Sequence, residues 1–288
     1  MKTQKRKVSK QNSLNLPINK SMVQLLKIEW LKVKNYRTFW ILSALYLLSI
    51  WGINYIVYVI QNKVYHDQKT GDVANLFLGG PPYAFPKVWA MTSYVSSFLL
   101  FIAGLIMIIS VTNEFSFKTH RQNIIDGVKR SEFIVTKLMC GLVVATISTV
   151  FVFLTAMFFG FTAENSNFSF ENAEYLLYFF LQALSYCWLA IFISLLFKRS
   201  GISIGVFFLY CIVLENVLNQ AFNYYFNGAG KFLPIQSSDE LLPLPFLEKL
   251  QNEISKTEVN TTLQLVIVLC YLAIYFLISK RKFETDDL

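Results

Sequence analysis

The sequence is poor in the residues that carry chemistry in most enzymes. Of its 288 residues only two are histidine, His66 and His120, and both fall between apolar stretches. No HExxH and no GxSxG pattern occurs, so neither a zinc hydrolase nor a serine hydrolase can be read from it. The four cysteines, Cys140, Cys187, Cys211 and Cys270, each lie inside an apolar run, and none forms a CxxC pair. That argues against a disulfide framework and a zinc site and leaves them as small packing residues. There is no G-x-x-x-x-G-K-[ST], and Gly79-Gly80 is not followed by GK[ST], so the chain has no phosphate cradle of the usual kind. The sequence therefore assigns no catalytic residue and no metal ligand. It also lacks the aromatic-interleaved basic motif of a nucleic-acid binder, so no nucleic-acid partner is expected. No small-residue cleavage site follows the first apolar run, which is expected to stay as an anchor.

Charge is scarce as well. Charged residues make up 15% of the chain against 55% hydrophobic, with 27 phenylalanines. Six long runs hold almost none of that charge: roughly Phe39–Ile60, Met91–Val111, Phe133–Phe161, Tyr175–Phe197, Ile202–Leu218 and Thr262–Ser279. At ~1.5 Å rise per residue such runs cross a hydrocarbon layer of about 30 Å. The fold class expected is an all-α integral membrane protein with six transmembrane helices.

The positive charges set the orientation, because loops rich in Lys and Arg stay in the cytoplasm. Of 26 such residues, twenty fall on one side if the first segment is inside. They include ten up to Arg37, the group Lys118, Arg121, Lys129 and Arg130, the pair Lys198 and Arg199, and Lys280 to Lys282. The other side holds six. The expectation is a multi-pass protein of the cytoplasmic membrane with both termini inside and its basic face against anionic lipid headgroups.

Residues 1–20 read as a basic, solvated tail. Residues 21–38 read as an interfacial helix, with Ser21 as a possible N-cap. Met22, Leu26, Trp30 and Val33 recur at helical spacing, with Lys27, Lys34 and Glu29 off that stripe. The other reading is a plain extension of the first span. The six-span region covers 39–279 and is followed by a tail, 280–288. Near the start of span five, Gly201 and Gly205 stand four apart, which suits close helix packing or is incidental. Glu215 is the one acid inside a predicted span, and Asn216 and Asn219 follow it. An acid there must face protein, water or the outer interface, so the three residues mark either an outer gate or the end of the helix. The outer segment 219–260 has apolar pieces too short to cross. They could form short or re-entrant helices, with Phe246 to Ile254 as one candidate.

The connection between spans two and three, "NEFSFKTHRQNIIDGVKR", is basic yet partly apolar. Phe117, Ile124 and Val128 share a helical phase, Gly127 suits a helix stop, and Ser131-Glu132 suits the next start. A short amphipathic helix over about 115–128 follows.

Two stretches, "KIEWLKVKNYRTFW" and "NEFSFKTHRQNIIDGVKRSEFIVTKL", resemble the permease subunits of type-2 ABC exporters, the type V fold. The likeness covers most of the chain by topology and these two stretches by motif. It implies an elbow helix before span one and a coupling helix after span two. On this sequence the matching positions are Glu114, Thr119, Arg121, Gly127 and Arg130, continuing into Phe133 and Lys137, with Phe117 and Ile124 on the helix itself. By the same resemblance two permeases, identical or homologous, pair beside two ABC ATPase subunits. These would hold ATP and Mg, while this chain binds no cofactor and is not itself an enzyme. Spans one and five would line the path. The charge-poor spans suit a hydrophobic or amphipathic cargo. The alternatives are a secondary transporter driven by an ion gradient, an intramembrane enzyme and a non-transporting scaffold. Glu215 is the only residue that speaks for the first.

Overall fold

The computed structural model describes residues 22–66, 81–163, 166–226, 228–243 and 260–286. Among them every regular element is helical: α1 (Met22–Lys34), α2 (Arg37–His66), α3 (Val88–Ser97), α4 (Leu100–Ser116), α5 (Thr119–Ile125), α6 (Arg130–Thr162), α7 (Glu174–Phe197), α8 (Ser200–Phe208), a π-helical turn (Leu209–Leu214), α9 (Glu215–Tyr225), a 3-10 turn (Ala229–Phe232), α10 (Gln236–Asp239) and α11 (Thr261–Thr285). The basic tail, Ser21, Gly79-Gly80 and the expected helix Phe246 to Ile254 lie outside the described residues.

Five helical stretches are long and apolar enough to cross a membrane: α2, α6, α7, the continuous run Ser200–Tyr225, and α11. The pair α3 and α4 makes a sixth span if its two pieces count as one, bent by 49° at Phe98 and Leu99. These positions agree with the six runs expected from the sequence, while α11 runs on through most of the expected terminal tail. Helix α6 is longest, 33 residues or about 50 Å, so it projects beyond an apolar layer at the end that carries Arg130.

The bundle is built around α7. In its apolar window 72% of the residues are buried by protein, against 17% to 33% in the other four spans. Helices α3, α4, α6, α8 and α11 all pack on it. The outward faces are apolar too: Ile41, Leu45, Leu48 and Ile56 on α2, and Ile202, Val213 and Val217 along the fifth span are exposed. With lipid as solvent, such faces need no polar dressing.

Polar groups inside the bundle are mostly matched. Asn54, fully buried on α2, donates to Ser96 Oγ (3.0 Å) and to Ile50 O (2.8 Å) and accepts from the Tyr83 hydroxyl (2.9 Å). This joins span one, the upper piece of span two and the loop before it. Beside it Trp89 stacks between Phe153 and Phe170, with centroids 5.7 and 6.1 Å away, and donates to Ser169 O (2.9 Å).

The tight helix contacts fall on glycines other than those expected. A Cβ on Gly201 or Gly205 would meet nothing within 4 Å, so this pair packs against no described part of the chain. At Gly104 on α4 a Cβ would stand 2.3 Å from the ring of buried Phe207 on α8. Only the missing side chain lets the two helices close. Gly104→Ala should therefore lower the melting temperature of the detergent-solubilised protein, for a cost of about 1–3 kcal/mol from overpacking. Gly205→Ala should leave it unchanged.

Candidate functional site: a buried ion cluster at the basic end

The basic end of the bundle gathers α1, the foot of α4, α5 and the foot of α6. Lys137 sits about two turns above the foot of α6, with 1% of its side chain exposed. Its ammonium lies between the carboxylates of Glu29 on α1 and Glu114 on α4 and donates to both. Lys32 closes the group from the rim, 2.9 Å from Glu29 and 3.0 Å from Glu114. Asn123 on α5 adds a long contact to Glu114 at 3.5 Å, and His120 Nδ1 donates to the Glu114 carbonyl at 2.9 Å. Two acids and two lysines thus cancel within one small volume. Burial opposes ionisation of Glu29, but Lys137 and Lys32 outweigh it and hold the carboxyl below the usual glutamate range.

The cluster answers a local problem. A lysine on the third span cannot remain alone in an apolar bundle, since an unpaired buried charge costs several kcal/mol. Both acids come from other helices, so satisfying it ties α1 and α4 to α6. The stripe Met22, Leu26, Trp30 and Val33 does not face the bundle centre. Leu25 and Glu29 do. Met22 touches Thr136 through its sulfur (3.9 Å), while Leu26, Trp30 and Val33 line an apolar groove of about 380 Å³ together with Trp40, Tyr46 and Val144. Trp30 packs edge-on against Trp40 at 5.9 Å. Lys27 and Lys34 are exposed, as the sequence implied, but Glu29 is not.

The connection expected as one helix over 115–128 is divided. Helix α4 continues to Ser116, and Lys118 turns the chain through a left-handed conformation (φ 56). Helix α5 then spans only Thr119–Ile125. Phe117, Ile124 and Val128 therefore do not share a helix face. Val128 is buried and Ile124 rests on the core, whereas Phe117 is 72% exposed and Ile125, from the same loop, 78%. Gly127 ends the segment at φ +90, a conformation that strains any side chain. Thr119 lines a cavity of about 150 Å³ beside Glu114. Arg121 is exposed. Arg130 donates to Glu284 O (2.9 Å) and Asp286 O (2.8 Å), binding the start of α6 to the end of α11, where Phe133 stacks on Phe283 at 4.8 Å. Glu114 is buried and supports this end from within rather than presenting itself at the surface.

At the opposite end Glu215 is buried, and it caps a helix. Its Oε1 accepts from the backbone N–H of Ile235 (2.5 Å) and Gln236 (2.8 Å), at the start of α10. Asn219 accepts from Asn223 (2.8 Å), whose own carbonyl oxygen takes the Gly230 N–H (3.0 Å). Asn216 is exposed and donates back to Ile212 O (2.9 Å), so it does not share the face of the other two. Sequence reasoning missed Asp239, which accepts from Gln182 Nε2 (2.8 Å) and, at longer range, from the Tyr186 hydroxyl (3.4 Å). Desolvation by the protein packed around it raises the Asp239 carboxyl to about 7.

Two outcomes follow. Lys137→Met leaves Glu29 and Glu114 with Lys32 alone and should cost about 3–5 kcal/mol, read by thermal unfolding. Adding Glu29→Gln and Glu114→Gln to that variant should restore most of the loss. For Asp239, an ordinary aspartate loses its proton near pH 3.9, whereas here the proton stays on to about 7. The folded state thus binds more protons across that window, and its stability falls as pH rises through it. Melting temperatures of Asp239→Asn between pH 5 and 8 should lose that part of the slope.

No curated protein matches the chain. Residues 55–288 match the family described as "Protein of unknown function (DUF2705)". Glu114, Lys137 and Asp239 lie inside the matched stretch, and α1 with Glu29 and Lys32 lies before it. By that match over most of its length, the chain belongs to the DUF2705 family.

Proposed function

We propose that this chain is the membrane subunit of an ATP-driven transporter of the type-2 ABC exporter kind. The basic end faces the cytoplasm of the cell's inner membrane, and separate ATPases dock on the segment Phe117 to Ile125. The observation that carries the reading is the ion cluster. It joins an amphipathic helix lying outside the spans, the foot of span two and the foot of span three, next to the turn and short helix that carry the exposed side chains of Phe117 and Ile125. Such an arrangement suits the transfer of a push from a soluble partner into two spans at once, because Lys137 cannot leave its acids without stranding a charge.

Further support comes from the charge distribution and from the apolar lateral groove under α1, which suits a hydrophobic or amphipathic cargo. On this reading ATP and Mg bind the two partner ATPases, and a second permease, identical or homologous, completes the path. Glu114 and Arg130 act as supports, while Phe117, Thr119 and Ile125 meet the partner. Glu215 and Asn219 belong to the outer end of the fifth span and hold its cap in place.

The test is copurification. A Walker-type ATPase expressed with this chain should copurify with it in detergent. Phe117→Asp with Ile125→Asp should reduce the retained ATPase by about tenfold, while insertion and melting temperature stay unchanged, since both side chains are exposed and each buried apolar anchor is worth ~1–2 kcal/mol or more at an interface. Uptake or efflux by the chain alone, driven by an ion gradient with no ATPase, would replace this reading with gradient-driven transport.

A further inference from the structure

A further concavity opens at the basic end. It measures about 380 Å³ and is lined by Phe115, Lys118, His120, Arg121, Phe197, Lys198, Arg199, Phe283 and Asp286. Its walls come from three places: the α4–α5 turn, the α7–α8 turn and the end of α11. Four of its side chains are cationic, and one, Asp286, is an acid. Asp286 is already divided between Lys198 (2.8 Å) and Lys282 (2.7 Å). The side chains of Lys118, Arg121 and Arg199 have no ion-pair or hydrogen-bond partner among the described residues. Asp287 lies outside them.

The pocket is built rather than merely charged. Its floor is aromatic, and Lys198 stands over the Phe115 ring at 5.9 Å. His120 is buried in its wall and fixed by the bond from Nδ1 to the Glu114 carbonyl. Two of the cations are set in place by the backbone. Lys118 and Lys198 both adopt the left-handed conformation, at φ 56 and 55, where a side chain other than glycine is uncommon. Arg199 is the N-cap of the run Ser200–Tyr225, so the positive end of that helix dipole lies at a residue of the cavity wall.

An excess of cations around a part-apolar cavity at the foot of the spans fits one kind of ligand. It must carry a phosphate and an apolar body, and it must arrive at headgroup level. The geometry points to a binding site for the headgroup of an anionic phospholipid, held by Lys118, Arg121, Lys198 and Arg199, with Asp286 competing for Lys198. Basic pockets between spans on the cytoplasmic side take such headgroups, and Arg grips phosphate oxygens in a two-pronged manner. The inference rests on the basic end lying at the membrane surface and needs no ATPase there.

The experiment uses the full chain alone, so docking of an ATPase does not enter. Native mass spectrometry from micelles doped with phosphatidylglycerol or phosphatidylcholine counts the lipids retained. The expected result is one phosphatidylglycerol held in preference to phosphatidylcholine. Arg121→Gln with Arg199→Gln should weaken it by more than about tenfold, at ~1 kcal/mol or somewhat more per cation. Asp286→Asn should strengthen it. Lys34→Gln, a charge change elsewhere on the same end, should leave it unaltered. Equal retention of the two lipids overturns the proposal, as does an equal loss in Lys34→Gln, which would mean general surface charge. Failure of Asp286→Asn to strengthen binding overturns the competition. Displacement by inorganic phosphate or glycerol phosphate at comparable concentration overturns the lipid source and leaves a site for a soluble phosphate.

Discussion

One lysine organises the basic end of this protein. Lys137 is buried on a span, where a lone ammonium would be intolerable, and its two acids come from two other helices. The charges cannot separate cheaply, so α1, α4 and α6 are fixed relative to one another whatever their apolar faces prefer. Such clusters contribute little net stability compared with well-packed apolar side chains, yet breaking one is costly. What the cluster supplies is specificity of position. Helix α1, which by composition could lie anywhere along an interface, has one seat.

That seat explains the neighbouring features. With Glu114 held, α4 stops at a defined height, and the left-handed turn at Lys118 sets where α5 begins. Asn123 and His120 both bond to Glu114, so α5 is attached to the same acid that faces Lys137. Phe117 and Ile125 are left outside because the inner positions are filled by Ile124 and Val128. The opposite end repeats the pattern with a different partner. Glu215 finds backbone N–H groups rather than a cation, and the segment before α10 folds over it.

Much of this was legible in the sequence, and the exceptions have physical reasons. The six apolar runs fall on the five helical stretches and the one bent pair that are long and apolar enough to cross a membrane, because length and lack of charge are what lipid demands. The bend in span two was not legible, since Phe98 and Leu99 are neither proline nor glycine. Lys137 is the single charge of its run, but the sequence does not say which residues meet it. Glu29 could not be named because its own helix has an apolar stripe on a neighbouring face, and that stripe lines the lateral groove instead of the core. Glu215 was legible as an acid needing a partner, but backbone donors leave no mark in a sequence. Asp239, in a short polar stretch, gave no signal at all. The Gly201 and Gly205 spacing suggested a close crossing, yet the crossing falls at Gly104, where the opposing residue happens to be a phenylalanine.

The 49° bend between α4 and α3 has a mechanical consequence. A straight rod displaced at one end moves by the same amount at the other. A bent rod does not: displacement along α4 resolves into one component along α3 and another across it. The Asn54 bond to Ser96 grips the upper segment close to the bend and opposes the sideways component there. A push along the lower arm of span two would therefore meet a bearing at Asn54.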